Sequence, residues 1–224
     1  MQNGMVGYNR IMPGEKNFVI VRPDRAYGRE LCTILARPVT SNVVIIDSRE
    51  PAYAAALGIR FVPADISNTD KYIASLRRVV GRFPKLTGVV FNGTSAAANN
   101  VFGYARDRSP LRRDTLFGLS VLETYNALSG PLSQSQDTKG GAKKAGNFVS
   151  VVSPVDYDTD TLGTAVSASI VESATLHIAP DAMKRDGVSV AVYHAEGDIT
   201  ERRLEIAKDL AAFARTGHFP FSPE

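Results

Sequence analysis

Six short apolar runs, each followed by residues of helical character or a turn, decide what this chain can fold into. The runs are Lys16–Val21 (KNFVIV), Asn42–Asp47 (NVVIID), Ile59–Pro63 (IRFVP), Leu86–Asn92 (LTGVVFN), Phe148–Ser153 (FVSVVS) and Val188–Tyr193 (VSVAVY). They are rich in β-branched residues and apolar at consecutive positions, the pattern of strands buried on both faces. Helices are expected at Gly28–Arg37, where Pro38 stops the segment, and within PAYAAALG, ended by Gly58. Thr69–Phe83 follows, with Tyr72, Ile73, Leu76, Val79 and Val80 at helical spacing and Lys71, Arg77, Arg78 and Arg82 outside. Further helices are expected at Thr115–Leu128, Thr161–Ile178 and Glu201–Arg215. PVDYDTD, after the fifth run, reads as a loop. Strand–helix alternation with such strands implies a single doubly wound parallel sheet flanked by helices, an α/β domain. Ligands of such sheets sit beyond the carboxyl ends of the strands.

A chain of 224 residues suits one domain over 1–224. Residues 1–15 read as an N-terminal extension, and the Gly-, Ser- and Lys-rich segment 130–146 as a mobile loop. Net charge is +3, and no Lys/Arg block marks a nucleic-acid surface. No apolar run reaches the ~20 residues of a membrane span, and the N-terminus has no secretory apolar core. A single cysteine, Cys32, allows no internal disulfide, and a cytoplasmic location is expected. His177, His194 and His218 are scattered, so no metal site is expected.

Several segments, in order, resemble the short-chain dehydrogenase/reductase family from about Lys16 to about Ile199. FVPADISNTDKYIASLRRVVGRFPKLTGVVFNG is similar to that family's segment from third to fourth strand. RRDTLFGLSVLETYNA resembles its fourth helix, NFVSVVS its fifth strand with a terminal serine, and DGVSVAVYHAEGDI its sixth strand. The resemblance implies a Rossmann-like fold and an NAD(P) site. It places Asp65 near an adenine and Asn92-Gly93 at the motif after the fourth strand. It makes Asp47 an acceptor for ribose hydroxyls, whereas Arg49 beside it would suit a phosphorylated cofactor. Asp47 as a cap before the following helix is an equal alternative.

The departures from the family bear on chemistry. Its phosphate loop reads Thr-Gly-x-x-x-Gly-x-Gly; aligned on Gly28, those positions are Val21, Arg22, Ala26 and Gly28. Arg22 and Ala26 add side chains where backbone approaches pyrophosphate, and Pro23 removes a donor. Arg22 and Arg25 could supply phosphate charge instead, or form a solvated basic turn. The family's Tyr-x-x-x-Lys pair is missing: Tyr157 is followed four residues on by Thr161, and no lysine lies between Lys144 and Lys184. A tyrosine left at its ordinary pKa of about 10 is a poor base without that cation. The expected protein is a degenerate, ligand- or partner-binding relative of the oxidoreductases. The alternatives are an atypical NAD(P)H-dependent reductase, or a cofactor-free lyase, isomerase or hydrolase using Ser153, Tyr157 and His194, all read as loop residues after the fifth and sixth strands. Against this, Ser153 and His194 also read as an ordinary strand end and turn. The small-sided helix 161–178, with 115–128, implies by resemblance a homodimer or a heterodimer with a related subunit.

Overall fold

The structure is a computed structural model, and it describes residues 16–23, 26–65, 69–83, 86–91, 149–156, 173, 188–195 and 198–220. Its strands are β1 (Lys16–Val21), β2 (Ser41–Asp47), β3 (Arg60–Pro63), β4 (Gly88–Phe91), β5 (Val149–Asp156) and β6 (Val188–Ala195). Its described helices are α1 (Gly28–Ala36), α2 (Ala52–Ala56), α3 (Thr69–Val80) and α4 (Arg203–Thr216). The sheet has six strands in the order β3-β2-β1-β4-β5-β6, every neighbouring pair parallel. The order reverses between β1 and β4, where a doubly wound sheet opens its ligand crevice. The expected helices 115–128 and 161–178, the N-terminal extension 1–15 and the loop 130–146 lie outside the described residues.

The pleat divides the core in two. Val19 and Val21 of β1, Val44 and Ile46 of β2 and Val89 and Phe91 of β4 pack under Tyr72, Ile73, Leu76, Val79 and Val80 of α3. Phe18 and Ile20, Val43 and Ile45, and Val90 occupy the opposite cluster with Leu31, Cys32 and Leu35 of α1 and Ile206, Leu210 and Phe213 of α4. Alternate residues therefore serve opposite layers, which is why the strand sequences are apolar without interruption.

At the amino end of the sheet, buried Asn17 ties three strands. Asn42 donates its side-chain N–H to Asn17 Oδ1 at 2.9 Å. Asn17 N–H donates to Thr87 Oγ1 at 3.0 Å, and Thr87 N–H returns a bond to the Asn17 carbonyl at 2.8 Å. The Asn42 bond satisfies the side-chain oxygen, whose unpaired burial would otherwise cost about 1–3 kcal/mol, and the Thr87 bonds satisfy the Asn17 backbone.

Two strands run further than their sequence pattern suggests. β5 continues through Pro154 to Asp156, and β6 continues through His194 to Ala195, because the two keep pairing rung for rung from Val149↔Val188 to Asp156↔Ala195. PVD is thus strand and not loop, and His194 is a strand residue. The backbone ladder overrides the polar and proline signals that read as turns.

α4 lies close on β4. A Cβ on Gly88 would overlap the Ala214 carbonyl, so only glycine permits this approach. Gly88→Ala is therefore expected to cost about 1–3 kcal/mol. A drop in the urea midpoint at unchanged slope would check it; an unaltered midpoint would mean that α4 sits further off.

Candidate functional site

The site region begins where β1 ends. Val21 is the last strand residue, and Arg22 N–H still donates to the Ile46 carbonyl at 2.9 Å. Arg22 then takes φ of +50°, a left-handed conformation. This is the position where the resembled family has its first glycine, whose work is a tight turn. The backbone thus keeps the glycine's conformation with a side chain on it, at a cost of about 1–2 kcal/mol. The guanidinium folds inward far enough that Nη1 is buried. Gly28, opening α1, keeps the third glycine's work of close packing. A Cβ there would lie 2.9 Å from Pro23 Cβ and 3.1 Å from the Tyr53 hydroxyl. Ala26 stands at the second position, and packs against the apolar cluster under α1. Two of the three glycines' tasks, the tight turn and the close helix packing, therefore survive in the backbone, whereas Ala26 puts a side chain at the position that meets pyrophosphate in the resembled loop. Arg25 lies outside the described residues.

At the end of β2, Asp47 spends one carboxylate oxygen locally. Ser48 donates to Asp47 Oδ1 from its N–H at 2.6 Å and from its hydroxyl at 3.3 Å. The reading of Asp47 as the cap of the following helix is corrected: the N-cap of α2 is Pro51, which has no side-chain cap bond, and the Asp47 carboxylate bonds Ser48 instead. Arg49 beside it is exposed. β3 is clamped to the same corner by Ala64 N–H donating to the Asp47 carbonyl at 2.8 Å. Asp65 follows, exposed, and shares with Ser48, Pro63, Lys71, Ser75 and Arg78 the lining of a cleft of about 440 Å³ between the β3 end and the flank of α3. The structure thus brings Asp47, Arg49 and Asp65 to neighbouring strand ends. Lys71 and Arg78 on that cleft were legible as the outer face of an amphipathic helix but not as lining a cleft. Asn92 and Gly93 lie outside the described residues.

The expected Ser153, Tyr157 and His194 set needs correction in its placement. Ser153 is not at a strand end: its backbone pairs with Val192 inside β5. His194 is not on a loop: it pairs with Val155, two rungs further along, and its side chain is exposed. Those rungs separate the two Cα atoms by roughly 8 Å. Tyr157 lies outside the described residues. Among the described residues no group of three or more His, Cys, Asp or Glu could hold a metal ion.

Two side-chain pairs found here leave no trace in the sequence pattern. Tyr193 donates its hydroxyl to Asp209 Oδ2 at 3.0 Å, joining β6 to α4. Burial, and then the Asp209 carboxylate, push this tyrosine's pKa well above its usual value. Cys32 hydrogen-bonds Tyr53 across α1 and α2, and burial pushes its thiol up to about 12 despite that bond. Cys32 is consequently a buried core thiol and not a nucleophile.

No protein-family model and no curated protein matches this sequence. Solved structures match over nearly its whole length. The NADH-dependent reductase A1-R' responsible for alginate metabolism shares 18% identity over 91% of this chain and 92% of its own, with a TM-score of 0.67. A short-chain dehydrogenase family protein from Francisella tularensis subsp. tularensis SCHU S4 shares 13% over 90% and 91%, at 0.66. FabI from Alistipes finegoldii shares 12% over 92% and 85%, at 0.62. These likenesses give the chain the short-chain dehydrogenase/reductase fold.

Two outcomes follow from the site's geometry. Arg22→Gly is expected to be as stable as the parent or up to about 1 kcal/mol more stable, since relief of the left-handed residue outweighs glycine's entropy. Arg22→Val should lose stability, because a β-branched residue tolerates that φ poorly. Equal urea midpoints for parent, glycine and valine variants would contradict the turn. Cys32 supplies a pH signature. Its thiol ionises more readily unfolded than folded, so its contribution to stability is full below about pH 9 and is lost as pH rises towards 12. Between those values the parent should lose stability more steeply than Cys32→Ala, in urea titrations at stepped pH.

Proposed function

We propose that this chain is a ligand-binding relative of the short-chain dehydrogenase/reductases, keeping the nucleotide end of the cleft without the family's proton-transfer pair. The single observation that carries this reading is Arg22 at φ +50°, in the same turn as the tightly packed Gly28: the backbone keeps the first glycine's conformation with a cation on it. A chain that had merely drifted from the fold's ligand chemistry would have no reason to retain a strained residue there.

The ligand class that suits these residues is a nucleotide with a phosphate, NAD(P) being the member implied by the fold. The Arg22–Gly28 turn would hold the phosphate, with Arg25 adding charge from the same loop. Asp47, through its remaining carboxylate oxygen, and Arg49 would face the ribose end, and Asp65 would accept from the base. Asn92, Gly93 and the β4 end complete the set of residues assigned to the cofactor. A nicotinamide cofactor would bring hydride chemistry when bound. The chain's own residues supply charge and shape, but no Tyr-x-x-x-Lys pair to move a proton at a substrate oxygen. The A1-R' reductase, whose fold this chain shares, has been solved with NAD. That supports choosing the dinucleotides as first probes. A homodimer or heterodimer through 115–128 and 161–178 belongs to the same reading, as does a cytoplasmic setting. Among the described residues no helix is long and apolar enough to cross a membrane.

Calorimetric titration with NADH and NADPH tests the reading. Micromolar binding is expected. Arg22→Ala and Arg25→Ala should each weaken it by about tenfold or more, as loss of a charge-assisted hydrogen bond does. No heat at millimolar cofactor, or binding indifferent to both arginines, would overturn it.

A further inference from the structure

α2 is a helix of five residues, AYAAA, with one large side chain, Tyr53. A helix that short does not hold itself together in water. Its N-cap, Pro51, makes no side-chain bond, and Ala52, Ala55 and Ala56 are exposed. What seats it is buried Ala54 and the half-buried ring of Tyr53, which packs on the apolar cluster under α1.

The Tyr53 hydroxyl reaches α1 at the residues that open it. It bonds the Cys32 thiol, and it stands 3.1 Å from where a Cβ on Gly28 would lie. Gly28 and Cys32 are one helical turn apart on the same buried face. Pro23 Cβ lies 2.9 Å from that same point beside Gly28. Pro23, in the turn after β1, and the hydroxyl, from α2, therefore close on Gly28 together.

Tyr53 is tied just as closely to the corner after β2. Asp47 ends that strand, Ser48 to Pro51 follow, and α2 begins. The segment is fixed at its start by the Ser48 bonds to Asp47 and by Ala64 N–H on the Asp47 carbonyl. It is fixed at its end by Tyr53. The ladder between β1 and β2 gives out at Arg22 N–H and the Ile46 carbonyl. Beyond that last bond, Tyr53 is the side chain that bridges the turn carrying Arg22 to the corner carrying Asp47 and Arg49.

We propose that Tyr53 is a positioning residue for the nucleotide, holding the phosphate turn and the ribose corner at the spacing of one ligand that touches both. The proposal rests on the nucleotide reading above and deepens it: the site is set for phosphate and nucleoside joined, as in a nucleoside 5'-diphosphate. The gain is preorganisation. Two contacts made by one ligand reinforce each other only where their spacing is fixed beforehand; otherwise binding must first order both loops. A ligand that touches one place alone is indifferent to that spacing.

Titration of the full chain with ADP, adenosine and inorganic pyrophosphate, read by calorimetry or ligand-observed magnetic resonance, tests the proposal. The parent is expected to bind ADP more tightly than either fragment. Tyr53→Phe removes only the hydroxyl, and should weaken ADP about fivefold, the worth of a neutral hydrogen bond, with both fragments unchanged. Cys32→Val removes the hydroxyl's partner and should repeat the effect, whereas Cys32→Ser keeps a partner and should retain the affinity for ADP. The two weakening changes together should cost no more than one alone. If Cys32→Val fails to fold, Tyr53→Phe decides. Undiminished ADP affinity in Tyr53→Phe overturns the proposal and leaves the nucleotide reading standing. So does equal weakening of ADP and both fragments alongside a lowered urea midpoint, the mark of a merely structural role. A parent that binds neither ADP nor NADH overturns the nucleotide reading and the proposal with it.

Discussion

β1 is the strand on which the rest of the structure depends. It pairs on one side with β2 and on the other with β4, and so occupies the point where strand order reverses. Its alternate residues enter both apolar layers: Val19 and Val21 under α3, Phe18 and Ile20 under α1 and α4. Asn17 fixes its start through bonds with Asn42 and Thr87. A strand clamped on four sides has little freedom to relax. That rigidity is what can hold Arg22, the next residue, in a left-handed conformation that a looser chain would abandon.

The candidate site is arranged around the same strand. The turn after β1, the Asp47–Ser48 corner after β2 and Asp65 after β3 sit at successive strand ends because the strands are parallel and in register. The family's phosphate loop distributes three tasks over three glycines. Here Arg22 takes the first at an energetic cost, Gly28 keeps the third, and Ala26 replaces the second. The cleft beyond Asp65 owes its cations, Lys71 and Arg78, to the outer side of α3. That helix serves the core with one face and lines the cleft with its flank.

Much of this fold was legible because burial on both faces leaves an unmistakable trace. The runs NFVIV and NVVIID have almost no polar interruption, and α1 and α3 show their stops and their apolar stripes. What was not legible has physical reasons. Pro154, Asp156 and His194 look like loop residues, yet pairing between β5 and β6 carries them into the sheet. Ser153 thereby moves from an expected strand end, and His194 from an expected loop, into the body of neighbouring strands. The Tyr193–Asp209 bond joins a strand to a helix through packing, which no local pattern announces. The glycine-like backbone of Arg22 is the sharpest case. Sequence reported a lost glycine, whereas the chain has kept the conformation and changed only the side chain.

The central claim is that the binding half of the cleft is retained without the proton-transfer half. Its most direct test is a single-turnover experiment in excess protein, following the absorbance of reduced nicotinamide in the presence of a panel of aldehydes, ketones and enoyl thioesters. The account predicts that the bound nicotinamide stays reduced throughout. Substrate-dependent oxidation at enzymatic rates, lost on removing the bound nucleotide, would contradict it and establish a reductase whose proton donor is other than a Tyr-x-x-x-Lys pair.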